Sequence, residues 1–582
     1  MRASQFCIKD SVVPASLCRL SILHCPAVSF RRTCLLASSL ARTYASAPKC
    51  LSSGYDGARG ALATPRPLQS PEAVADYVRQ HPLLRDLLGI SASSPSSASS
   101  NRSGTEGSNN GPSGDVKVAE LSGGRINFVW RVSGPKGDVV VKYAAPFVRS
   151  IGPEFKLSQA RLSVEAEAMA AAHAACPQHV PALLLYDAAA GVLVQELISG
   201  PQGRRRVKLV DALVPRADAV ISSVDSAAAS TEAVALPPPP PLAADLASLL
   251  AGYLLRNSVY ELPCEEHAAA AERLRNGEVV AANAAVVFTD PWDTECIRNR
   301  VPSGLEQEVA QLRADALVRQ EVSRLLHMYG SSAETLIHND LTAGNILVPE
   351  PPAPGSAPAS GTATGSEMHG SASRSDTHLI DWEFATYGPM AYDIGSLLGN
   401  LLLSYCATEC RGVERQPAPA PLLRCITELW QELEARIRSY TPVRHAGGAD
   451  AGDGEATVGA GPVALGEALA QRVLSDSLGY AGCVMARLVF GMHHYPALEA
   501  ISCGRRRACC QRLALRLAAT LLRPEERAAR GWLGCSAEGA DDGGNGSGGD
   551  GAGSGGGGCG MRRLVRDVEA WAAEAEAAER RG

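Results

Sequence analysis

The chain has 582 residues and a formal net charge of −6, with acidic and basic residues intermixed along its length. It has no basic stripe with interleaved aromatic residues and no apolar run approaching ~20 residues, so the sequence predicts a soluble protein with neither nucleic acid nor a membrane as a partner. Its 17 cysteines lack paired Cys-x-x-Cys spacing, which indicates reduced thiols rather than a zinc site.

The first 65 residues have the composition of a targeting segment. Residues 1–65 are rich in Arg, Ser, Ala and Cys, and Asp10 is the only acidic residue before Asp56. A basic, hydroxylated segment of this kind is typical of a transit peptide, so we expect import into a mitochondrion or plastid, which composition does not distinguish. The alternative is a disordered start or a mis-assigned initiator, and the protein would then be cytoplasmic.

Residues 66–200 form the predicted N-terminal lobe. Ser70 precedes Pro71 and is the expected N-cap of a helix over 71–88. Residues 91–114 are mostly Ser, Gly and Asn and offer almost nothing to bury, which predicts a flexible insertion.

Strand-like patterns follow this insertion. A strand leads into the glycine-bearing turn 122–125, a return strand and a third strand that ends in Lys142. Glycines let backbone amides approach a phosphate, and a lysine on the next strand supplies positive charge. An ordinary hairpin with a surface lysine is the alternative. A helix predicted over 157–175 carries Glu165, the expected partner of Lys142, with Glu167 as the competing partner.

Residues 201–530 form the predicted C-terminal lobe, which is mainly helical because apolar residues recur at helix spacing. Helices are predicted from Leu242 onward and over 306–328, 394–405, 466–492 and 504–522, with Asp393 as the expected cap of the third. Low-complexity stretches at 215–241, 349–377 and 444–463 are predicted insertions. Residues 531–582 form a glycine-rich tail and a terminal helix over 561–581 with no evident chemistry.

Two polar clusters follow apolar runs of strand length. His338, Asp340 and Asn345 lie in the loop between two such runs, and Asp381 and Glu383 follow another. Phosphoryl transfer requires one carboxylate to orient and deprotonate the acceptor hydroxyl, and others to hold the magnesium that bridges the nucleotide phosphates. The pattern therefore predicts a phosphotransferase, and the two strands around 349–377 must remain paired as a hairpin.

Segment 387–395 (YGPMAYDIG), with 399–401 (GNL), resembles the S-methyl-5-thioribose kinase family, within the aminoglycoside phosphotransferase and choline kinase group. The same resemblance is carried by 124–129 (GRINFV), 141–142 (VK), 145–152 (APFVRSIG), 287–291 (VFTDP) and 312–315 (LRAD). It covers about residues 70 to 525, broken by the insertions.

The resemblance implies an α+β, protein-kinase-like fold. An N-terminal antiparallel sheet lobe would sit over a larger, mainly helical C-terminal lobe, with ATP in the cleft between them. The activity it implies is transfer of the γ-phosphate of ATP to the 1-hydroxyl of methylthioribose, a step of methionine salvage. The partners are then this small molecule and ATP with Mg, and the oligomeric state stays open between monomer and homodimer.

The resemblance also implies roles for individual residues. Asp340 is the catalytic base and touches the sugar, Asn345 belongs to the same catalytic loop, and Arg487 grips the sugar. Asp381 and Glu383 hold magnesium. The nucleotide site comprises Asn127, Lys142, Glu165, the adenine hinge Gln195, Glu196 and Leu197, and the metal motif Asp381, Trp382 and Glu383.

The chain departs from the family pattern at three points. The catalytic loop usually reads HGDLHTGS, whereas 338–345 reads HNDLTAGN. Trp382 stands where the metal motif usually carries Pro. Of the late arginine pair only Arg487 remains, because Leu488 takes the second position. The first two changes leave the phosphoryl chemistry intact, and the third leaves the acceptor open.

Two alternatives follow. One is a related small-molecule kinase that acts on another pentose, choline or an amino alcohol. Choline would need an aromatic or acidic box, for which Trp382 and Tyr387 are too few. The other is a catalytically dead kinase-like binding scaffold. The intact set Lys142, Asp340, Asn345, Asp381 and Glu383 argues against it.

Overall fold

The structure is a computed structural model that describes residues 67–91, 116–121, 126–150, 152–200, 205–213, 242–350, 377–409, 419–440, 462–533 and 557–581. The predicted transit segment, the glycine turn 122–125, most of each predicted insertion and the glycine-rich part of the tail lie outside these residues. Predictions about those segments stay predictions.

A five-stranded antiparallel sheet, ordered β1-β2-β3-β7-β6, forms the N-terminal lobe. Its strands are β1 (Lys117–Glu120), β2 (Phe128–Gly134), β3 (Gly137–Tyr143), β6 (Leu183–Asp187) and β7 (Val192–Glu196), and a separate pair joins β4 (Phe147–Val148) to β5 (Gly152–Lys156). Side chains alternate across β3: Val139 and Val141 pack in one core, and Lys142 points to the opposite face. This alternation directs the lysine towards the helix that follows, α3 (Arg161–Ala175).

The helix predicted over 71–88 is wrong as a single element. The chain forms α1 (Pro71–Gln80) and α2 (Pro82–Leu88), with His81 between them in an extended conformation. Proline lacks an N–H and disfavours a helical conformation in the preceding residue, so Pro82 ends the first helix. The predicted cap is confirmed, since Ser70 Oγ accepts a hydrogen bond from Ala73 N at 3.3 Å.

The rest of the described chain is mostly helical, which confirms the predicted α+β class with a sheet lobe and a larger helical lobe. Its longer helices are α5 (Leu242–Arg256), α6 (Cys264–Arg273), α7 (Gly277–Ala284), α8 (Glu306–Ala314), α9 (Ala316–Ser331), α10 (Met390–Glu409), α11 (Pro419–Ser439), α12 (Pro462–Phe490), α14 (Gly504–Leu521) and α16 (Gly557–Arg581). Short helices are α4 (Leu209–Leu213), α13 (Pro496–Glu499) and α15 (Pro524–Ala529).

The helix predicted over 306–328 is also divided in two. Asp315 interrupts it, because its carboxylate accepts hydrogen bonds from Leu317 N and Val318 N at 2.9 and 3.2 Å and caps α9. The apolar spacing continues across the break, with Leu312 and Val318 both in the core, so periodicity alone did not reveal it.

Long apolar helices form the core of this lobe. The Gly466–Phe490 part of α12 is long and apolar enough to cross a membrane, but 83% of its most apolar window is buried inside the protein. It packs closely on α10, where a Cβ added at Gly395 would lie 2.5 Å from Ser477 O. The terminal helix α16 joins the same core through Met561, Leu564 and Trp571.

Small antiparallel sheets set the two polar loops side by side. Strand β9 (Thr335–Ile337) pairs with β12 (Thr386–Gly388), and β10 (Ile346–Pro349) pairs with β11 (His378–Leu379) and with β8 (Arg206–Lys208). The pairing of β10 with β11 confirms the hairpin predicted around 349–377. Loop 338–345 therefore runs beside loop 380–385.

Candidate active site

Loop 338–345 is held in place by a buried aspartate. Asp393 accepts hydrogen bonds from His338 N at 2.6 Å, Asn339 N at 3.0 Å and the Tyr253 hydroxyl at 2.7 Å. The prediction that Asp393 caps a helix is wrong, because α10 begins at Met390 and places it in the first turn. A carboxylate that accepts two backbone N–H groups instead fixes the start of the loop.

We expect Asp393→Asn to lower the free energy of unfolding by about 1–3 kcal/mol, because an amide nitrogen would face a buried donor that then has no acceptor. Chemical denaturation measures this. Tyr253→Phe is the matched control: it removes one donor and leaves both backbone bonds intact, so it should cost less. Equal losses in the two variants would contradict the proposed support of the loop.

Two residues in these loops adopt a left-handed conformation that is unusual outside glycine. Asn339 has a φ of 67° and Asp381 a φ of 72°. The Asn339 side chain is held by Tyr329, whose hydroxyl donates to Oδ1 at 2.7 Å, and by Asn283, whose Nδ2 donates to the same oxygen at 3.0 Å. Such strain persists only where surrounding contacts over-determine it. These contacts direct the flanking Asp340 into the site.

The structure brings Asp340, Asn345 and Arg487 together, as the sequence predicts. Asn345 Nδ2 donates to Asp340 Oδ2 and to the Asp340 backbone oxygen, both at 2.9 Å. Burial raises the pKa of Asp340 to about 6, while the positive charge of Arg487 opposes that rise. Arg487 lies on α12, and its Nε is buried with no hydrogen-bond partner. The group combines a basic carboxylate with a guanidinium that has a free donor.

His338 connects this group to the neighbouring loop. Burial lowers its pKa to about 4, so the ring is neutral at physiological pH. Its Nε2 lies 2.9 Å from Ile380 O and its Nδ1 3.3 Å from Asp340 N. The neutral tautomer with hydrogen on Nε2 satisfies both contacts.

Lys142 joins the sheet lobe to the second loop. Its Nζ donates to Glu165 Oε1 at 2.8 Å and to Asp381 Oδ1. Glu165 is therefore the partner, whereas Glu167 pairs with Arg273 on the exposed side of α3. Burial raises the pKa of Asp381, but the charge of Lys142 outweighs it and leaves the pKa below its usual value. The Asp381 side chain is nevertheless 39% exposed and thus accessible to a ligand.

Glu383 lies on the other side of this cluster. Its Oε2 accepts a hydrogen bond from Asn127 Nδ2 at 2.6 Å, and Arg161 Nη2 donates to Asn127 Oδ1 at 2.7 Å. Burial raises the pKa of Glu383 to about 8. Sequence reasoning missed Arg161, although its position four residues before Glu165 on one helix already placed both on the same face.

The carboxylates are arranged in a way that fits a divalent cation. One oxygen from each of Glu165, Asp381 and Glu383 lies within 4.8 Å of the others. Carboxylate oxygens are the ligands that Mg²⁺ takes from proteins, usually one or two beside substrate phosphates. Lys142 binds both Glu165 and Asp381, but the Glu165 side chain is only 1% exposed whereas that of Asp381 is 39% exposed. Asp381 and Glu383, two residues apart in the same loop, are therefore the pair that fits this role.

The other residues predicted for the nucleotide site are the hinge residues at the end of β7, and Trp382, which is buried. Gln195 and Glu196 end β7, where they pair with Val140 and Val139 of β3, and Leu197 follows the strand. Trp382 is fully buried, with its ring 5.3 Å from that of Tyr253 and 4.8 Å from that of His338. Its side chain thus packs beneath the loop, away from solvent, and its predicted place in the nucleotide site stays a prediction.

Comparison with known proteins places this site in context. No family model matches the chain. Among curated relatives, the methylthioribose kinase of Yersinia pseudotuberculosis serotype IB (strain PB1/+) is 30% identical over 416 residues, which is 71% of this chain and 87% of that protein. The methylthioribose kinase of Pectobacterium carotovorum subsp. carotovorum (strain PC1) is 29% identical over 411 residues, 70% of this chain and 88% of that protein.

Solved structures with a similar arrangement include two small-molecule kinases. A choline kinase from Cryptosporidium parvum Iowa II has a TM-score of 0.33 at 12% identity and covers 72% of this chain and 93% of its own. A spectinomycin phosphotransferase in complex with ADP and spectinomycin has a TM-score of 0.31 at 11% identity, over 78% of this chain and 99% of its own. On the level of identity and the length shared with the curated enzymes, this chain belongs to the methylthioribose kinase family of phosphotransferases.

Proposed function

We propose that the protein transfers the γ-phosphate of ATP to the 1-hydroxyl of S-methyl-5-thioribose, with Asp340 as the base. The observation that carries this proposal is the half-buried Asp340 carboxylate, fixed by Asn345 and close enough to Arg487 for their charges to interact. The site thus offers a proton acceptor and a hydrogen-bond donor to one sugar. Membership of the family supports methylthioribose as that sugar.

Asp340 supplies orientation as well as basicity. A sugar hydroxyl is a weak nucleophile near neutral pH, so most of the acceleration must come from positioning and from stabilisation of charge. Asn345 Nδ2 binds one carboxylate oxygen at 2.9 Å and leaves the other to accept the hydroxyl proton. Asp393 keeps the loop, and hence this oxygen, in place.

The sheet lobe supplies the nucleotide side of the reaction. Lys142, fixed by Glu165, would hold the nucleotide phosphates through its ammonium group, and the backbone at Gln195, Glu196 and Leu197 would bind the adenine. A magnesium ion held by Asp381 and Glu383 would neutralise charge on the nucleotide phosphates. Asn127 holds Glu383 in the orientation that this role requires.

The proposed reaction is tested by ADP release from the full chain under single-turnover conditions. Methylthioribose, ribose, choline and an aminoglycoside are compared as acceptors. Turnover specific to methylthioribose supports the proposal. Preference for another acceptor would instead indicate a related small-molecule kinase. ATP binding without turnover of any acceptor would indicate a binding scaffold.

We expect Arg487→Leu to raise the KM for methylthioribose by about 10–100-fold, because a hydrogen bond from a charged group is worth about 1.5–3 kcal/mol. Leu488 cannot compensate, since its side chain is only 8% exposed. Steady-state kinetics with varied sugar measure the effect, and the KM for ATP is the internal control. An unchanged sugar KM would show that Arg487 does not contact the acceptor.

The pH dependence follows from the state of Asp340. A base must be deprotonated, and the pKa of Asp340 is about 6, so kcat/KM should fall as the pH drops below 6. Arg487 opposes the rise in this pKa, and Arg487→Leu should therefore move the acidic limb to higher pH. A pH profile of both proteins checks this. If the acidic limb of the profile lay at the same pH in the variant, Asp340 would not be the group whose titration causes it.

A further inference from the structure

Arg161 is a buried cation that none of the roles above uses. It opens α3, is 6% exposed, and donates through both terminal nitrogens. Nη1 reaches Ser158 O at 2.6 Å, and Nη2 reaches Ala145 O at 3.0 Å and Asn127 Oδ1 at 2.7 Å. The planar guanidinium can serve acceptors on several sides at once, which fixes its own position. A residue held this firmly can orient its neighbours.

The contact with Asn127 determines which way that amide faces. An asparagine amide has one oxygen and one nitrogen, and exchange of the two reverses donor and acceptor. Because Arg161 offers only donors, it holds the oxygen Oδ1. The nitrogen Nδ2 must then face Glu383 Oε2, at 2.6 Å. The reversed amide would set its oxygen against the carboxylate and repel it.

Charge adds a second reason for Arg161 at this point. Three carboxylates meet here, and Lys142 is already bound to two of them, Glu165 and Asp381. Arg161 is a second cation, and it lies near the third carboxylate, that of Glu383. Its Nε lies 3.9 Å from Glu383 Oε2 and has no hydrogen-bond partner. The charge of Arg161 therefore lies near Glu383, but its hydrogen-bonded contact with that carboxylate runs through Asn127.

We propose that Arg161 is a positioning residue for the cation site, which acts through Asn127 to fix the Glu383 carboxylate. The proposal rests on the proposed function in one respect, that Asp381 and Glu383 are the residues that hold the cation. It adds a series of hydrogen bonds from Arg161 of α3, through Asn127 just before β2, to Glu383 in loop 380–385. The sheet lobe would thereby set the geometry of a metal ligand that belongs to the helical lobe.

The test measures Mg²⁺-dependent binding of a fluorescent ATP analogue by the full chain, without any sugar. Loss of a group that orients a metal ligand typically costs 10–100-fold in metal affinity, and we expect Arg161→Gln and Asn127→Ala each to weaken Mg²⁺ affinity by about this factor. The double variant should be no more than about threefold weaker than Asn127→Ala, because residues that act in series are not additive. Effects that multiply would overturn the proposal.

Arg273 of α6, which contacts α3, provides a matched control. Arg273 forms an exposed ion pair with Glu167 of α3, and Arg273→Gln should leave Mg²⁺ affinity unchanged. A merely structural role for Arg161 would lower the melting temperature and the fraction of protein that binds, but not the Mg²⁺ dependence of that fraction; this result would overturn the proposal. Absence of methylthioribose turnover would count against the proposed function only, since this assay contains no sugar.

A second variant covers the case in which Arg161→Gln does not fold. Arg161→Lys retains the buried charge, but a single ammonium group cannot span Ser158 O and Asn127 Oδ1 at the same time. We expect it also to weaken Mg²⁺ affinity by about 10-fold or more, within the range for such neighbours of a metal ligand. Unchanged Mg²⁺ dependence in Arg161→Lys would overturn the proposal.

Discussion

Asp340→Asn is expected to lower kcat by about 10²–10⁴-fold, the range typical for loss of a general base. The amide has nearly the shape of the carboxylate but cannot accept the hydroxyl proton. Asn345 keeps its 2.9 Å bond to the Asp340 backbone oxygen, so the loop should hold its conformation. Single-turnover ADP release measures the loss, and the affinity for ATP should change little because the substitution lies on the acceptor side.

The control for this variant is a carboxylate far from the site. Asp138 pairs with Arg131 on the exposed side of the sheet, and Asp138→Asn should leave turnover unchanged. If Asp340→Asn retained more than about a tenth of the wild-type kcat, far above the residual rate expected on loss of a general base, Asp340 would not be that base. Loss of folding would appear as a fall in ATP binding capacity, and the assay is therefore normalised to bound nucleotide.

The residues that could be predicted from the sequence share one property: local sequence places them. Asp340 and Asn345 lie in one loop, and Asp381 and Glu383 follow one strand, so spacing alone brings each pair together. Lys142 was predicted from its place at the end of a strand. The sequence favours Glu165 as the partner of this lysine but leaves Glu167 as a competitor. The orientation of α3 decides between them, because Glu165 is 1% exposed and Glu167 faces solvent.

The residues that were missed act over long separations in the chain. Arg161 reaches Glu383 through Asn127, and Asn276 donates to Glu383 O at 3.0 Å across more than one hundred residues. Asp393 has a similar role, because it binds backbone groups more than fifty residues earlier. Its carboxylate near a helix start is an ordinary capping signal, and only the pairing of β9 with β12 shows that the catalytic loop lies within its reach.

Lys142→Met should be the most destabilising of the substitutions considered. Lys142 is 6% exposed and is bound to Glu165 and Asp381, with Glu383 close by. Removing one member of a buried ion pair typically costs 3–5 kcal/mol, because the charge left behind has neither water nor a partner. We expect a loss of about this size in the free energy of unfolding, and a fall in kcat of about 10²–10³-fold from loss of a preorganised donor.

Two comparisons separate this electrostatic origin from a simple packing defect. Lys136→Met, in the same hairpin but exposed, should shift stability by less than about 0.5 kcal/mol. The double variant Lys142→Met/Glu165→Gln removes both partners of the buried pair and should be more stable than Lys142→Met alone, since the fully buried carboxylate is then gone and the other partner of the lysine, Asp381, is 39% exposed. Denaturant unfolding of the four proteins measures this order. If the double variant were less stable than Lys142→Met, the lysine would contribute through packing, and its role in neutralising the three carboxylates would be wrong.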